Sequence, residues 1–130
     1  MSTKEQITHW KELSDYDMTT AKHMFQTKRY PYCLYMCHLS VEKILKSLLM
    51  QQTGNHPPFS HNLVALAKSL EISFDENQKT LLADLTEFNI EARYPEWKKE
   101  FYKRATGKYT HTYFTQTQKL QKWLKKFLNK

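Results

Sequence analysis

Seven aromatic residues late in the chain, Tyr94, Trp97, Phe101, Tyr102, Tyr109, Tyr113 and Phe114, are interleaved with Arg93, Lys98, Lys99, Lys103, Arg104 and Lys108. Rings of this kind stack on bases while neighbouring cations hold phosphates, the chemistry of a nucleotide or single-strand RNA surface. Aromatics also suit a dimer interface or a helical core, and both uses can share one cleft. Charge has the same distribution. Residues 97–130 carry ten Lys or Arg and one acid, Glu100, while residues 1–96 carry ten Lys or Arg and twelve acids. The net +7 therefore resides in the last quarter of the chain. Such asymmetry suits a polyanion or an acidic partner, and equally a solvated helix face.

A second constellation, Glu42, Lys43 and Lys46, lies in the most apolar stretch of the sequence, where charge is costly unless paired. Glu42 and Lys46 stand at i and i+4 in the favourable order, worth only about 0.2–0.5 kcal/mol when exposed. A larger role requires burial: Arg93 joining Glu42 and Lys46 in a bundle-fixing ion pair, or Lys46 facing a phosphate. Cys33 and Cys37 are one turn apart, but His38 points away from Cys37 and leaves two ligands where zinc takes three or four. No metal and no cofactor is expected, and the cysteines read as buried thiols. His61, at the start of a helix, reads as a capping or loop-bonding residue, with ligand contact as the lesser alternative.

Helices must position these groups, because two glycines and four prolines in 130 residues leave too few turns for a β-rich fold. Apolar spacing predicts a first helix over 3–27, with Ile7, Trp10, Leu13, Asp17, Ala21 and Met24 on one stripe, closed by Lys28 and Arg29. Pro31 opens a second helix that runs to Thr53, with Gly54 as its stop. Ser60 is expected to cap a short third helix over 62–70. Asp75 and Gln78 have capping-box spacing and open a fourth, which turns Leu81, Leu82, Leu85, Phe88 and Ile90 inward until Pro95 ends it. Residues 96–109 are ambiguous. A last helix over 110–128 buries Phe114, Leu120, Trp123, Leu124, Phe127 and Leu128 and exposes Lys119, Lys122, Lys125 and Lys126. The expected fold is all-α, a single domain over 1–130 with four long helices and one additional short one. No apolar run approaches the roughly 20 residues of a membrane span, and the N-terminal stretch is polar. A cytoplasmic protein with no membrane role is expected.

Four features occur in order: Glu42-Lys43-Ile44-Leu45-Lys46, Pro57-Pro58-Phe59-Ser60-His61-Asn62-Leu63, Arg93-Tyr94-Pro95, and a basic, aromatic final helix. This combination resembles the HEPN family (higher eukaryotes and prokaryotes nucleotide-binding domain), in particular its Arg-Tyr-Pro-containing prokaryotic branch. The resemblance implies an up-and-down four-helix bundle, a homodimer, and pairing with a small nucleotidyltransferase in toxin–antitoxin or defence modules. It also implies that catalytic members are metal-independent RNases, using an Arg, four to six intervening residues and a His at the start of the last helix.

Arg104 and His111, separated by six residues, satisfy that spacing, and Tyr113 follows two residues later. A neutral His111 would take a 2′-hydroxyl proton, Arg104 would stabilise charge on the phosphate, and Tyr113 would assist. Three departures oppose catalysis. Ala105 stands where active relatives carry a polar residue, Gly107 loosens the Arg–His spacing, and the Arg-Tyr-Pro branch often lacks the motif. The sequence therefore points first to a non-catalytic partner of a nucleotidyltransferase. Its nucleotide or RNA site would be a basic cleft between the fourth and last helices, with Arg93, Lys98, Lys99, Arg104 and Lys108 as cations and Tyr94 and Tyr109 as stacking rings. An RNase toxin using Arg104, His111 and Tyr113 at a dimer cleft, where the Arg and His of two subunits would meet, comes second, and a protein-docking adaptor third.

Overall fold

The most apolar segment becomes the axis around which the other helices gather. The computed structural model describes residues 1–129. It contains α1 (Thr3–Gln26), α2 (Tyr30–Thr53), α3 (Leu63–Lys68), α4 (Glu76–Arg93), α5 (Pro95–Arg104) and α6 (Gly107–Lys125). Helices α1, α2, α4 and α6 form an up-and-down bundle, and α2 packs against every other helix. Cys33, Leu34, Cys37, Val41, Ile44 and Leu45 of α2 are completely buried. Among the described residues no helix is long and apolar enough to cross a membrane.

Caps set most of the boundaries. The Asp75–Gln78 capping box forms as the spacing predicts, and Ser2 with Glu5 makes another at the start of α1. The cap of α3 is a correction: Asn62 Oδ1 accepts from Ala65 N at 3.1 Å. Ser60 Oγ instead accepts from Asn62 N, one step earlier.

The ambiguous region also resolves. Pro95 ends α4 and begins α5, because its fixed φ suits a first helical position while it keeps Tyr94 extended (φ −99°, ψ 124°). Thr106 Oγ1 then accepts from Tyr109 N and starts α6 at Gly107, earlier than Thr110. The bundle thus carries two short helices rather than one.

Helix α5 is attached through Phe101, fully buried, whose ring lies 5.6 Å from that of Phe88 on α4. Ile90 and Phe127, expected inside, are 36% and 42% exposed. Phe127 falls beyond the end of α6, and Ile90 sits on the α4 face that turns toward a groove.

Where α1 meets α2, side chains are small and polar. Ser14 Oγ donates to Ser40 O at 2.7 Å and Ser40 Oγ donates to Ser14 O at 2.8 Å. This reciprocal pair satisfies two buried hydroxyls and lets the backbones approach. Asp17, nearly buried on the α1 stripe, is neutralised by Lys43 of α2.

The α1–α2 turn contains the one strained non-glycine position among the described residues, Lys28 with φ +62°. Left-handed backbone costs a residue with a Cβ about 1–2 kcal/mol, while glycine adds about 0.5–1 kcal/mol of unfolded-chain entropy. Lys28→Gly is therefore expected to raise stability by about 0.5–1 kcal/mol. In urea unfolding the midpoint should rise with the slope unchanged. A lower midpoint would contradict the assigned turn.

Candidate functional site

Between α4 and α6 runs a groove made of two hollows that share Asp84, Tyr109 and Tyr113, of about 690 and 520 Å³. Its local construction follows from helical spacing. Tyr109 and Tyr113 are one turn apart on α6 and face α4, where the Phe88 ring lies 6.1 and 4.9 Å from theirs. Asp84, Glu87 and Glu91 lie along the facing side of α4. Arg104, at the end of α5, enters from the side.

Polar contacts occupy Arg104, Glu91, Tyr109, Tyr113 and Asp84, while Glu87 and Lys119 also line the groove. Arg104 Nη2 donates to both carboxylate oxygens of Glu91 at 2.7 Å, and its Nε donates to Tyr109 Oη at 3.2 Å. The Glu91 hydrogen bond raises the guanidinium pKa still further. Tyr113 Oη donates to Asp84 Oδ2 at 2.8 Å. Burial first, then that bond and the neighbouring Tyr109, push the Tyr113 phenol up, so it stays protonated as a donor.

His111 is elsewhere. Two residues on an α-helix are separated by about 200°, so His111 projects from the side of α6 opposite Tyr109 and Tyr113. It is exposed, with its ring 5.6 Å from that of Phe25 on α1. Within one chain, Arg104 and Tyr113 meet the groove and His111 does not.

The groove is not the basic cleft expected from the sequence. Three carboxylates line α4, and the charge of Arg104 is matched by Glu91. The remaining predicted binding residues divide in two. Arg93 and Tyr94 occupy the α4–α5 corner, the guanidinium 5.5 Å above the ring centre, and Lys98 and Lys99 follow within the next turn of α5. Lys108 is exposed on the first turn of α6.

The Glu42 cluster forms a separate site. Glu42 and Lys46 do pair, with Nζ 3.2 Å from Oε2, and both are about 5% exposed. Arg93 does not join them, a correction that follows from its place at the exposed end of α4. Two histidines take that role. His38 Nε2 lies 3.1 Å and His61 Nδ1 2.8 Å from Glu42 Oε1. Burial pushes the Glu42 carboxyl up, but the two histidine hydrogen bonds and the Lys46 charge outweigh it, lowering the pKa from 4.5 to about 2. A carboxylate only accepts, so His38 carries its proton on Nε2 and His61 on Nδ1.

The helical spacing that turns His38 about 100° away from Cys37 also sets it one turn from Glu42 on the same face. That half of the cluster is visible in the sequence and was missed there. The arrival of His61 across the loop has no such signal. Cys33 and Cys37 are both buried, and burial first, then the adjacent Cys33, pushes the Cys37 thiol well up. They stand apart from the Glu42 cluster as inert packing.

A family model described as the HEPN domain matches residues 7–127. The crystal structure of TT1696 from Thermus thermophilus is similar to this chain, with a TM-score of 0.82. The match covers 95% of this chain and 98% of that one at 16% identity, a likeness of helical arrangement alone. No curated protein matches the chain.

Because the Glu42 pKa is depressed on folding, its stabilisation is fully present above about pH 4.5 and is lost as pH falls toward 2. Glu42→Gln would strand Lys46 in a buried position and is expected to cost about 3–5 kcal/mol near neutral pH. The gap to wild type should narrow on acidification. Urea unfolding of both proteins at neutral and acid pH measures this. A gap that does not change with pH would refute the ion-pair account.

Proposed function

Because the chain belongs to the HEPN domain family, we propose that it is a single-domain, homodimeric, non-catalytic subunit that works beside a small nucleotidyltransferase in a toxin–antitoxin or defence-type module. Nucleotide or RNA is contacted at the α4–α5 corner, where Arg93, Lys98 and Lys99 supply charge and Tyr94 supplies a ring. Lys108 extends the basic surface. Arg104 and Tyr109 serve the fold from the groove.

One observation carries this reading: the Arg104 guanidinium is spent on Glu91 and Tyr109, while His111 leaves α6 on the far side. Metal-independent RNA cleavage needs a proton-transfer group within hydrogen-bond reach of the 2′-hydroxyl and a free cation over the phosphate. Neither condition is met by this pair within one chain, so cleavage would need His111 of a second copy to reach Arg104 and Arg104 to leave Glu91. Cations and rings at the corner are better placed for binding. Tyr94 is 46% exposed, enough for a base to stack. Dimer formation is supported by the groove rim, where Ile90 and Trp97 offer apolar surface to a second copy.

Fluorescence anisotropy with a single-stranded RNA oligonucleotide tests the proposal. Log affinity should fall linearly with log salt, and Lys98→Ala with Lys99→Ala should make the slope shallower by roughly 0.7 per cation removed. In the presence of chelator the wild type should leave the RNA intact. Cleavage that disappears in both Arg104→Ala and His111→Ala would establish the RNase toxin instead. Salt-independent affinity, or no affinity, would leave the protein-docking adaptor.

A further inference from the structure

Chemistry-bearing side chains converge in the groove at α4 and α6 and, away from it, around Glu42. At the Glu42 cluster the donors have the composition of a metal site. We propose that His38, Glu42 and His61 bind a divalent ion of the zinc, cobalt or nickel class. The site shares no residue with the groove and does not depend on the function proposed above.

The donor set is the first argument. Two imidazoles and one carboxylate form an N2O set suited to these ions, whereas calcium and magnesium prefer mostly oxygen ligands. Catalytic zinc sites commonly present three protein ligands of this kind and keep a fourth position open.

Geometry is the second argument. The three ligand atoms lie within 4.8 Å of one another. Bonds of about 2.0–2.2 Å in tetrahedral arrangement separate neighbouring donors by about 3.3 Å. Each nitrogen is already 2.8 or 3.1 Å from Glu42 Oε1, so seating an ion requires that pair to open by only a few tenths of an ångström. The two histidines close on each other through His61, whose side chain is 52% exposed and free to swing. His38 and Glu42, one turn apart on α2 and buried, are the fixed half.

The surroundings are compatible with the exchange. An entering ion replaces the two ring protons that now point at Oε1, and each proton moves to the other nitrogen of its own ring, so both histidines bind as neutral imidazoles. For His38 that nitrogen is Nδ1, buried and without a hydrogen-bond partner. It is unpaired in either tautomer, so the change sacrifices no hydrogen bond there. Lys46 occupies Oε2 and leaves Oε1 to the ion. Its ammonium opposes the added charge and limits affinity, which favours an exchangeable ion over a permanent one. His61 is the exposed member of the three, so the open position lies on its side, toward a water or a small anionic ligand. The bound ion would also fasten the Pro57–Pro58 loop to α2.

The test uses the whole chain, stripped with chelator and desalted. Cobalt(II) titration followed by visible absorption should saturate at one equivalent with the intense bands of a tetrahedral site. Zinc should raise the melting temperature in proportion to the logarithm of its concentration. His61→Ala replaces a half-exposed residue and should keep the helical circular dichroism. It should lose the bands and the thermal shift, with affinity down by more than the roughly 10–100-fold that loss of an outer partner costs. His61→Gln is the second variant, and His9→Ala, on the outer face of α1, should bind as wild type. No thermal shift in the wild type, or undiminished cobalt binding by both His61 variants, would overturn the site.

Discussion

A carboxylate inside the most apolar helix constrains everything around it. Glu42 cannot remain charged in the core without partners, and each partner comes with a structural consequence. Lys46 must curl back along α2, with its ammonium 5.8 Å from the Trp10 ring centre on α1. His38 must be completely buried. His61 must come over from the loop after α2, which fixes the path of Pro57 and Pro58 and the start of α3. One buried charge thereby joins α1, α2 and the α3 entry, and α2 in turn is the helix that every other element touches. Replacing all four groups by apolar residues of similar volume would cost little stability in principle. Stability alone therefore does not call for this set of four polar groups, which leaves it open to a ligand role.

Charge in the last quarter of the chain is less available than the composition suggests. Arg104 is matched by Glu91, Lys125 by Asp15, and Lys103 approaches Glu100. Asp15 also accepts from Gln121, so the acidic first part of the sequence and the basic last part are partly each other's counterions. The fold converts a lengthwise asymmetry into pairs across the bundle. Among the described residues, the cations left without a carboxylate partner include Arg93, Lys98 and Lys99 at the α4–α5 corner and Lys108 on the first turn of α6.

Long helices were legible because their signals are local. Capping boxes, apolar spacing and Gly54 lie within a few residues of the boundaries that they set, and α1, α2 and α4 follow them closely. The failures share a cause. Whether Pro95 stops one helix or starts another depends on Phe101 finding Phe88, a tertiary contact that no spacing encodes. The exposure of Ile90 depends likewise on which flank of α4 faces the groove. At the candidate sites, helical periodicity separated Cys37 from His38 correctly and would also have joined His38 to Glu42. It had no means of delivering His61, nineteen residues later, or of showing that Arg93 stays off Glu42 while Arg104 takes Glu91.

The RNase-like spacing illustrates how a motif can be formally present and geometrically dispersed. Arg104 closes α5 and His111 lies in the second turn of α6, so the intervening residues must include a break, supplied by Ala105 and Thr106. Once Thr106 caps α6, the phase of the new helix is fixed, and the faces of Tyr109, His111 and Tyr113 follow from 100° steps. Tyr109 and Tyr113 take the inward phase because their rings pack on Phe88, and His111 is then necessarily turned toward α1. Moving His111 into the groove would require rotating α6 and withdrawing both tyrosines from the core. The aromatic packing that stabilises this end of the bundle is therefore the same constraint that separates the arginine from the histidine.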